Sequence, residues 1–165
     1  MHLMKHELFR PGADRLPKLD STDRKIIGEL AADGRVPLAE LGRRVNLSSP
    51  AIAERVQRLE RVGVITGYRA EIDPRALGYH LTAIIRIKPA PGQLSRIPEL
   101  ARQIPEVGEC HRITGEDCFY LKVHLRSVEE LGDLLDRFLV HGETTTSLIN
   151  ASPIPRRDPP IAGDR

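Results

Sequence analysis

A polar segment between residues 48 and 58 carries side chains that suit contact with a polyanion. Small residues come first and long polar ones follow: Ser48, Ser49, Pro50, Ala53, Glu54, Arg55, Gln57 and Arg58. At the start of a helix, backbone N–H groups and serine hydroxyls can bind a phosphate, while Gln57 and Arg58 can reach base edges. Arg55 stands three residues after Ile52, so it is expected to lie partly inward. The segment predicts a helix that enters the major groove of double-stranded DNA. A solvated face of an ordinary three-helix domain is the alternative.

A second set of polar residues suits a small charged ligand. The set consists of Gly115, Glu116, Asp117, Thr144, Thr145 and Thr146. Gly115 lets a ligand approach the backbone closely, the neighbouring N–H groups suit a carboxylate, and the two acids suit an ammonium group. These residues predict a site for a zwitterion. The threonines also have a purely structural explanation, because threonine favours β-strands.

Cysteines and histidines occur close together in the second half of the chain and raise the question of a metal site. They are Cys110, His111, Cys118 and His124. If residues 114–117 form a turn, Ile113 opposes Cys118 and Cys110 opposes Leu121. The two cysteines then point to opposite faces, so they cannot share a metal ion or a disulfide. We expect small apolar buried cysteines and no metal.

The sequence contains no recognisable active site. Glu116 and Asp117 are adjacent on a predicted turn, which is typical of a solvated hairpin tip rather than of paired catalytic carboxylates. No nucleophile elbow, phosphate-binding glycine loop or cofactor motif is present. We therefore expect no catalytic residues, no cofactor and no enzymatic activity.

Length, charge and composition exclude further classes of protein. The chain has 165 residues, of which 40% are hydrophobic and two are cysteines, so it suits one or two domains without a disulfide framework. The apolar run Ala83–Ile85 is far shorter than the roughly 20 residues of a membrane span, and no signal-peptide core occurs. Residues 1–70 carry 13 Lys and Arg against 9 Asp and Glu, whereas residues 71–165 carry 12 against 14. We expect a cytoplasmic protein whose N-terminal half meets a polyanion.

Helical patterns within residues 20–63 would position the polar segment. Asp20 is a good N-cap for a first helix, with Asp23 in the capping-box position, and Gly34 follows the end of this helix. A second helix begins at Pro37, and its apolar residues Leu38, Leu41 and Val45 are expected to be buried.

The spacing between the second and third helices is the most informative. Only Asn46 and Leu47 separate Val45 from the cap Ser48, and asparagine suits a left-handed turn. Such a short turn makes the helices cross steeply and leaves the start of the third helix protruding, as in a helix-turn-helix. Gly63 ends the third helix.

After Gly63 the apolar pattern changes its period. The alternation in Val64–Ile72 predicts a strand. The later elements are a strand at 81–88, a helix at 94–104, strands at 107–113 and 118–125, a helix at 128–138 and a strand at 144–152. This βαββαβ order predicts a ferredoxin-like sandwich, in which an antiparallel sheet has helices on one face. The other face is expected to carry apolar side chains such as Ile84 and to be covered by a second copy of the sheet, packed face to face.

These motifs resemble those of the Lrp/AsnC (leucine-responsive regulatory protein and asparagine regulator) family, the feast/famine transcription factors. The matching segments are Leu19-Asp20 with Asp23 and Ile26, Asp33-Gly34-Arg35, Leu38–Leu41, Asn46-Leu47-Ser48, Arg55–Glu60, Gly63–Tyr68, Cys110–Asp117 and Tyr120–Val123. The family's turn often has glycine, an acid, an aromatic residue and a second acid. Here the turn is Gly115-Glu116-Asp117-Cys118, so one acid is moved by a position and a thiol replaces the second.

The resemblance implies a sequence-specific DNA-binding regulator whose effector, an amino acid, binds near the Gly115 turn at an interface between C-terminal domains. It also implies a homodimer and often a higher oligomer such as an octamer. The alternative is an enzyme of the same fold, similar to the siroheme decarboxylases. The arginine-bearing third helix argues against that alternative, because an enzyme has no need of it.

The expected fold class is α+β, with a winged-helix-like helix-turn-helix domain followed by a ferredoxin-like domain. The expected divisions are a flexible arm at 1–18, the DNA-binding domain at 19–63, a linker strand and connection at 64–79, the effector-binding and oligomerisation domain at 80–152, and a proline-rich tail at 153–165.

Overall fold

The structure, a computed structural model, describes residues 17–161, so nearly all of the predicted arm at 1–18 lies outside the described residues. The chain forms two compact units. The first contains the described residues up to Ala70 and those from Arg156 onward, and the second is Glu71–Pro155. Each unit has its own apolar core. Within the described residues, no helix is long and apolar enough to cross a membrane.

The first unit is built from α1 (Ser21–Ala32), α2 (Leu38–Val45) and α3 (Ser49–Arg61). Asp20 caps α1 as predicted: its carboxylate accepts a hydrogen bond from the Asp23 N–H (2.7 Å), and the Asp23 carboxylate accepts one from the Asp20 N–H (3.2 Å). This reciprocal pair satisfies two backbone donors that the start of a helix leaves open. The core of the unit consists of Ile26, Val36, Leu41, Ile52, Val56 and Leu59.

The turn between α2 and α3 has the geometry that its spacing predicts. Asn46 adopts the left-handed conformation (φ 58°, ψ 46°), and the Leu47 N–H donates to the Gly42 carbonyl (2.9 Å). A Cβ at Gly42 would lie 2.7 Å from the Leu47 carbonyl oxygen, so the chain can fold back onto α2 only over a glycine.

The prediction that Leu38 is buried is wrong. It is 44% exposed, because it is the first residue of α2 and lies at the edge of the core.

The predicted strand at Val64–Ile72 is not formed, which corrects the assignment of 64–79 as a linker strand and connection. Val64 and Ile65 pack against the helical core, and their N–H groups donate to the Leu59 carbonyl (2.9 and 3.1 Å). These bonds close the C-terminal end of α3 instead of pairing a strand. Residues 66–73 belong to no helix or strand, and a short 3-10 helix follows at Pro74–Leu77.

The second unit has the predicted βαββαβ order. Its elements are β1 (Leu81–Pro89), α4 (Arg96–Ala101), β2 (Val107–Arg112), β3 (Phe119–Leu125), α5 (Val128–Leu139) and β4 (Gly142–Leu148). The strands form one antiparallel sheet in the order β2-β3-β1-β4. The helix α4 is shorter than predicted, because turns occupy residues on both sides of it. β4 begins and ends earlier than predicted, at Gly142 and Leu148. Gly142 already pairs with Pro89, at a close approach that a Cβ would block.

The two faces of the sheet differ in chemistry. Ala83, Ile85 and Ile87 of β1 are fully buried against side chains of α4 and α5. The opposite side, called the open face below, consists of Thr82, Ile84, Arg86 and Lys88 of β1, Glu109 and His111 of β2, Tyr120, Lys122 and His124 of β3, and Glu143, Thr145 and Ser147 of β4. Ile84 is thus the aliphatic side chain of a mostly polar face, which differs from the apolar surface that the sequence predicts.

The tail after β4 contains no helix or strand up to residue 161. Its last described residue nevertheless packs on the first unit: a Cβ at Gly28 of α1 would lie 3.6 Å from Cδ1 of Ile161. Ile161 is accordingly less exposed than Ile154, at 39% against 66%. The end of the tail therefore covers part of α1.

Candidate nucleic-acid interface and ligand site

The helix α3 divides its side chains between the core and the solvent. Ile52, Val56 and Leu59 point into the core. Four exposed residues at spacings of four, three and four form the outward face: Pro50, Glu54, Gln57 and Arg61. Side chains at these spacings share one side of a helix. This outward face, with the exposed Ser49 at its start, is the candidate surface of α3 for contact with a DNA groove.

Arg55 and Arg58 lie on a different side of α3, next to the start of α1. Nη1 of Arg55 donates to Oδ2 of Asp20 and to Oδ1 of Asp23, both at 2.8 Å. Nη2 of Arg58 donates to Oδ2 of Asp23. Asp23 is 1% exposed, so these hydrogen bonds replace the water that its carboxylate has lost. The two arginines therefore hold α3 against α1, and the inward position expected for Arg55 is confirmed.

The same contacts set the ionisation of the two aspartates. Burial acts to raise the pKa of Asp23, but hydrogen bonds from Arg58, the Asp20 N–H and Arg55 outweigh it, so the pKa lies below its ordinary value. The pKa of Asp20 is lowered too, first by the hydrogen bond from the Asp23 N–H and then by the one from Arg55. Both aspartates are thus ionised at neutral pH, and two negative charges face two positive ones.

The arginines of α2 are also paired. Arg43 and Arg44 each donate to Glu40 at 2.8 Å, and Arg44 reaches Glu29 of α1 at 2.7 Å. Hydrogen bonds from Arg43 and then Arg44 lower the pKa of Glu40 to about 2. Among the ion pairs of the described residues, none includes Arg61. Arg61 is therefore a cation of the outward face that is available to a phosphate.

Ser48 and Ala53 complete the set of residues predicted to contact DNA, and neither belongs to the outward face. Ser48 is the N-cap (φ −67°, ψ 154°), but its hydroxyl makes no capping hydrogen bond. Ala53 and Gln57 line one side of a shallow groove whose other walls include Leu38 and Tyr68. Sequence reasoning missed Arg61, although it follows Gln57 by the four residues that place two side chains on one helix face.

The turn between β2 and β3 places Asp117 against β1. The Cys118 N–H donates to the Ile87 carbonyl (3.0 Å), and Nη1 of Arg86 lies 3.3 Å from Oδ2 of Asp117. Gly115 has a φ of 114°, and beyond its chain neighbours no described heavy atom lies within 4 Å of the position its Cβ would take. Glu116 is exposed. The turn is therefore accessible to a small molecule and carries an ion pair at its end.

The register of β4 separates the three predicted threonines. Thr144 and Thr146 oppose the buried Ile87 and Ile85, so they point to the helix-covered side of the sheet. Thr145 opposes Arg86 on the open face. Of the three threonines, only Thr145 lies on the same face of the sheet as Arg86. The predicted cluster of hydroxyls is therefore divided between the two faces.

The cysteines have the predicted register. Cys110 opposes Leu121, and the Ile113 N–H donates to the Cys118 carbonyl (2.9 Å). Both cysteines are free thiols, but Cys110 is exposed and Cys118 is half-buried, so the expectation that both are buried is wrong. In the part of the chain that the structure describes, no group of three or more His, Cys, Asp and Glu side chains is arranged to hold a metal ion.

Two family models match the chain, one in each unit. The AsnC-type helix-turn-helix domain matches residues 19–60, and the Lrp/AsnC ligand binding domain matches residues 82–158. The chain belongs to the Lrp/AsnC family. It is a DNA-binding transcriptional regulator with a ligand-binding domain, and not an enzyme.

Relatives of this Lrp/AsnC regulator agree with the assignment. The HTH-type transcriptional regulator LrpA of Mycobacterium tuberculosis is 44% identical over 120 residues, which are 72% of this chain and 80% of LrpA. The HTH-type transcriptional regulator YezC of Bacillus subtilis is 42% identical over 134 residues, 81% of this chain and 95% of YezC. A feast or famine regulatory protein from M. tuberculosis, solved in complex with L-methionine, is similar with a TM-score of 0.80 and 39% identity, covering 86% of this chain and 98% of that one.

The two family matches cover the candidate residues for DNA contact and for ligand contact. The helix-turn-helix match includes Gln57 and ends just before Arg61. The ligand-domain match includes Arg86, Asp117 and Thr145. The candidate residues for DNA contact and those for ligand contact thus lie in separate compact units of the chain.

Proposed function

We propose that this regulator binds specific DNA sequences as a dimer and that an amino acid bound beside the β2–β3 turn modulates the binding. The outward face of α3 carries the first part of the proposal. It leaves Gln57 and Arg61 exposed, while Asp23 holds Arg55 and Arg58.

The residues of α3 have separate roles in this proposal. Gln57 contacts a base edge, because an amide can donate to and accept from adenine in the major groove. Ser49 and the first N–H groups of α3 contact one phosphate, and Arg61 contacts another further along the strand. Arg55 and Arg58 orient the helix through Asp23.

The dimer follows from the number of contacts that one copy can make. Four arginines of α2 and α3 are engaged with acidic side chains, so one helix-turn-helix unit offers few cations to phosphates. Two copies on half-sites about 34–36 Å apart, one turn of DNA, double the phosphate contacts and fix the register.

The amino-acid effector is supported by the chemistry of the turn. Gly115 lets a ligand approach the backbone, and Asp117 offers a carboxylate beside the guanidinium of Arg86. The M. tuberculosis relative in complex with L-methionine supports the same class of ligand.

The DNA part is tested by selection from a random duplex library at moderate salt. We expect the chain to select a palindromic site. Replacing Gln57 by Ala should then cost about 1–3 kcal/mol of discrimination at one base pair of each half-site. Replacing Arg61 by Gln should weaken binding to all sequences and reduce the salt slope by about 1 per copy. Arg96→Gln, at an exposed residue of α4 in the other unit, is the matched control. If no sequence is selected over random duplex, the proposal is wrong.

The effector part is tested by thermal unfolding in the presence of each of the twenty amino acids. A ligand at one hundred times its dissociation constant adds about 2.7 kcal/mol to the free energy of unfolding. We expect one or a few amino acids to raise the melting temperature. A screen in which none does so contradicts this part without affecting the DNA part.

A further inference from the structure

The outward face of α3 carries one acidic side chain, Glu54, beside the cation Arg61 and the amide Gln57. Glu54 follows the buried Ile52 by two residues, which is about 200° around the helix axis, so its carboxylate points away from the core. A negative charge at this place is unexpected on a surface that meets DNA, because the phosphates repel it.

The arginines that could neutralise Glu54 are held elsewhere. Glutamate and arginine four positions apart are neighbours on a helix, so Glu54 would ordinarily pair with Arg58. In this structure Arg58 donates to Asp23, and so does Arg55. Among the ion pairs of the part of the chain that the structure describes, none includes Glu54, although Lys18 lines the same charged hollow. The engagement of both arginines with Asp23 leaves the charge of Glu54 directed outward.

We propose that Glu54 selects a cytosine in the DNA site by accepting a hydrogen bond from the cytosine N4 amino group in the major groove. This inference rests on the proposed DNA binding and adds a second base-reading residue to Gln57. A carboxylate accepts hydrogen bonds and donates none, so it can bond only to an amino group of a base edge. Guanine and thymine present acceptors there, and the amino group of adenine lies beside the N7 acceptor, which repels a carboxylate.

The same charge opposes binding to every sequence that lacks the cytosine. Ser49 and Arg61 attract phosphates whatever the sequence, whereas Glu54 lies in the groove without a donor unless the amino group is present. A repulsive element of this kind lowers the affinity for wrong partners more than that for the right one. Glu54 therefore raises the specificity of the helix and not its overall affinity.

The spacing on α3 predicts where the cytosine lies. Glu54 and Gln57 are three residues apart, which is a rise of about 4.5 Å along the helix, and consecutive bases of one strand are about 3.4 Å apart. Two side chains of similar length on one helix face thus reach the same or neighbouring base pairs. Since an adenine–thymine pair contains no cytosine, we expect the cytosine in the base pair next to the adenine that Gln57 reads.

Selection from a random duplex library with wild type, Glu54→Ala and Glu54→Gln tests this inference, and anisotropy of labelled duplexes gives the affinities. Wild type should select a cytosine next to the base pair whose preference is lost in Gln57→Ala. Replacing that cytosine by thymine should weaken binding by wild type about 5- to 150-fold more than binding by Glu54→Ala. Glu54→Gln should prefer adenine at this position, because an amide bonds to both N6 and N7 of adenine. Both variants should bind random duplex more tightly than wild type.

Glu60→Gln is the matched control, because it removes the same charge from α3 at an exposed residue whose carboxylate accepts from the Tyr68 hydroxyl (2.9 Å). It should retain the preference for cytosine. Unchanged base preferences in both Glu54 variants, or a base other than cytosine at the position that Glu54→Ala relaxes, overturn the inference. Equal relaxation at all positions would show a structural role and overturn it too.

These outcomes are distinct from failure of the proposed DNA binding. If wild type selects a site and Gln57→Ala relaxes one base pair of each half-site while the Glu54 variants behave as wild type, the inference about Glu54 alone is wrong. If wild type selects no sequence over random duplex, the proposed DNA binding fails and this inference fails with it.

Discussion

Asp23 of α1 and Arg58 of α3 form an ion pair that joins the two helices inside the DNA-binding unit. The Asp23 carboxylate is buried, and its other oxygen is held by Arg55. Because a buried carboxylate without a cation is strongly destabilising, this contact fixes the orientation of α3 on α1. An arginine whose type and position suit DNA thus serves to position the helix that carries Gln57.

Replacing Asp23 by Asn tests the positioning role. The amide keeps the size of the side chain but removes the charge that Arg55 and Arg58 share, so the free energy of unfolding should fall by about 2–4 kcal/mol. Urea denaturation followed by circular dichroism measures this loss. Glu99→Gln, which breaks an exposed pair on α4, should cost less than about 1 kcal/mol. If Asp23→Asn lowers the free energy of unfolding no more than Glu99→Gln does, Asp23 does not position α3 on α1.

The lowered pKa values of Asp20 and Asp23 predict a loss of stability in acid. The unfolded chain takes up these protons at a higher pH than the folded chain does, because the folded state holds both carboxylates below their ordinary pKa. Their contribution is complete above about pH 5, since an unperturbed Asp titrates near 3.9, and it is lost as the pH falls through the lowered values. Urea midpoints measured from pH 7 to pH 2.5 should therefore stay level and then fall. The midpoints of Asp23→Asn should fall less steeply than those of wild type. Identical pH profiles for the two proteins would contradict the role of the Asp23 ion pairs in stability.

Features that depend on neighbouring residues could be predicted from the sequence. The capping box of Asp20 and Asp23 and the left-handed Asn46 are local, and both are confirmed. The partner of Arg58 could not be predicted, because Asp23 is 35 positions away and is brought close by the packing of α1 on α3. The strand at Val64–Ile72 was wrong for a related reason: alternating apolar residues indicate an extended chain but supply no partner strand.

In the candidate ligand site too, features that depend on strand pairing could not be predicted from neighbouring residues. The prediction grouped Thr144, Thr145 and Thr146, although alternation along a strand already implies that Thr145 faces the opposite side from the other two. The ion pair of Arg86 with Asp117 could not be predicted in this way. It requires the register of β1 with β3 and β4 and the position of Asp117 at the end of the turn.

Two glycine substitutions distinguish a close approach from an open helix position. In Gly42→Ala the new Cβ would lie 2.7 Å from the Leu47 carbonyl oxygen, so the turn before α3 must shift, at a cost of about 1–3 kcal/mol. In Gly132→Ala the Cβ meets no described atom within 4 Å on α5, and the better helix propensity of alanine should add about 1 kcal/mol. Thermal unfolding compares the two variants. Changes of the same sign would contradict this account of the turn.

The contact of Ile161 with α1 predicts that the tail protects the first unit. Ile161→Ser should lower the free energy of local opening of α1 by about 0.5–1 kcal/mol, because the side chain is only partly removed from water. Hydrogen exchange of the amides of Ser21–Ala32 measures this directly. Ile154→Ser is the control, because Ile154 is the more exposed of the two isoleucines. Equal exchange rates of the α1 amides in the two variants would show that the tail does not protect α1.

The last prediction concerns the coupling between the two sites, which lie in separate units of the chain. Replacing both Glu116 and Asp117 by Asn should weaken the response to the amino acid and leave effector-free DNA binding nearly intact, since Gln57 and Arg61 lie in the other unit. In wild type the amino acid should change DNA affinity by about 5- to 150-fold, which corresponds to 1–3 kcal/mol. The selected DNA must change amino-acid affinity by the same factor, because both effects measure one coupling free energy. Anisotropy of a labelled duplex gives the first factor, and calorimetry on the protein–DNA complex gives the second. Loss of DNA binding in a double variant that remains folded and dimeric would show that the turn acts on α3 even without a ligand.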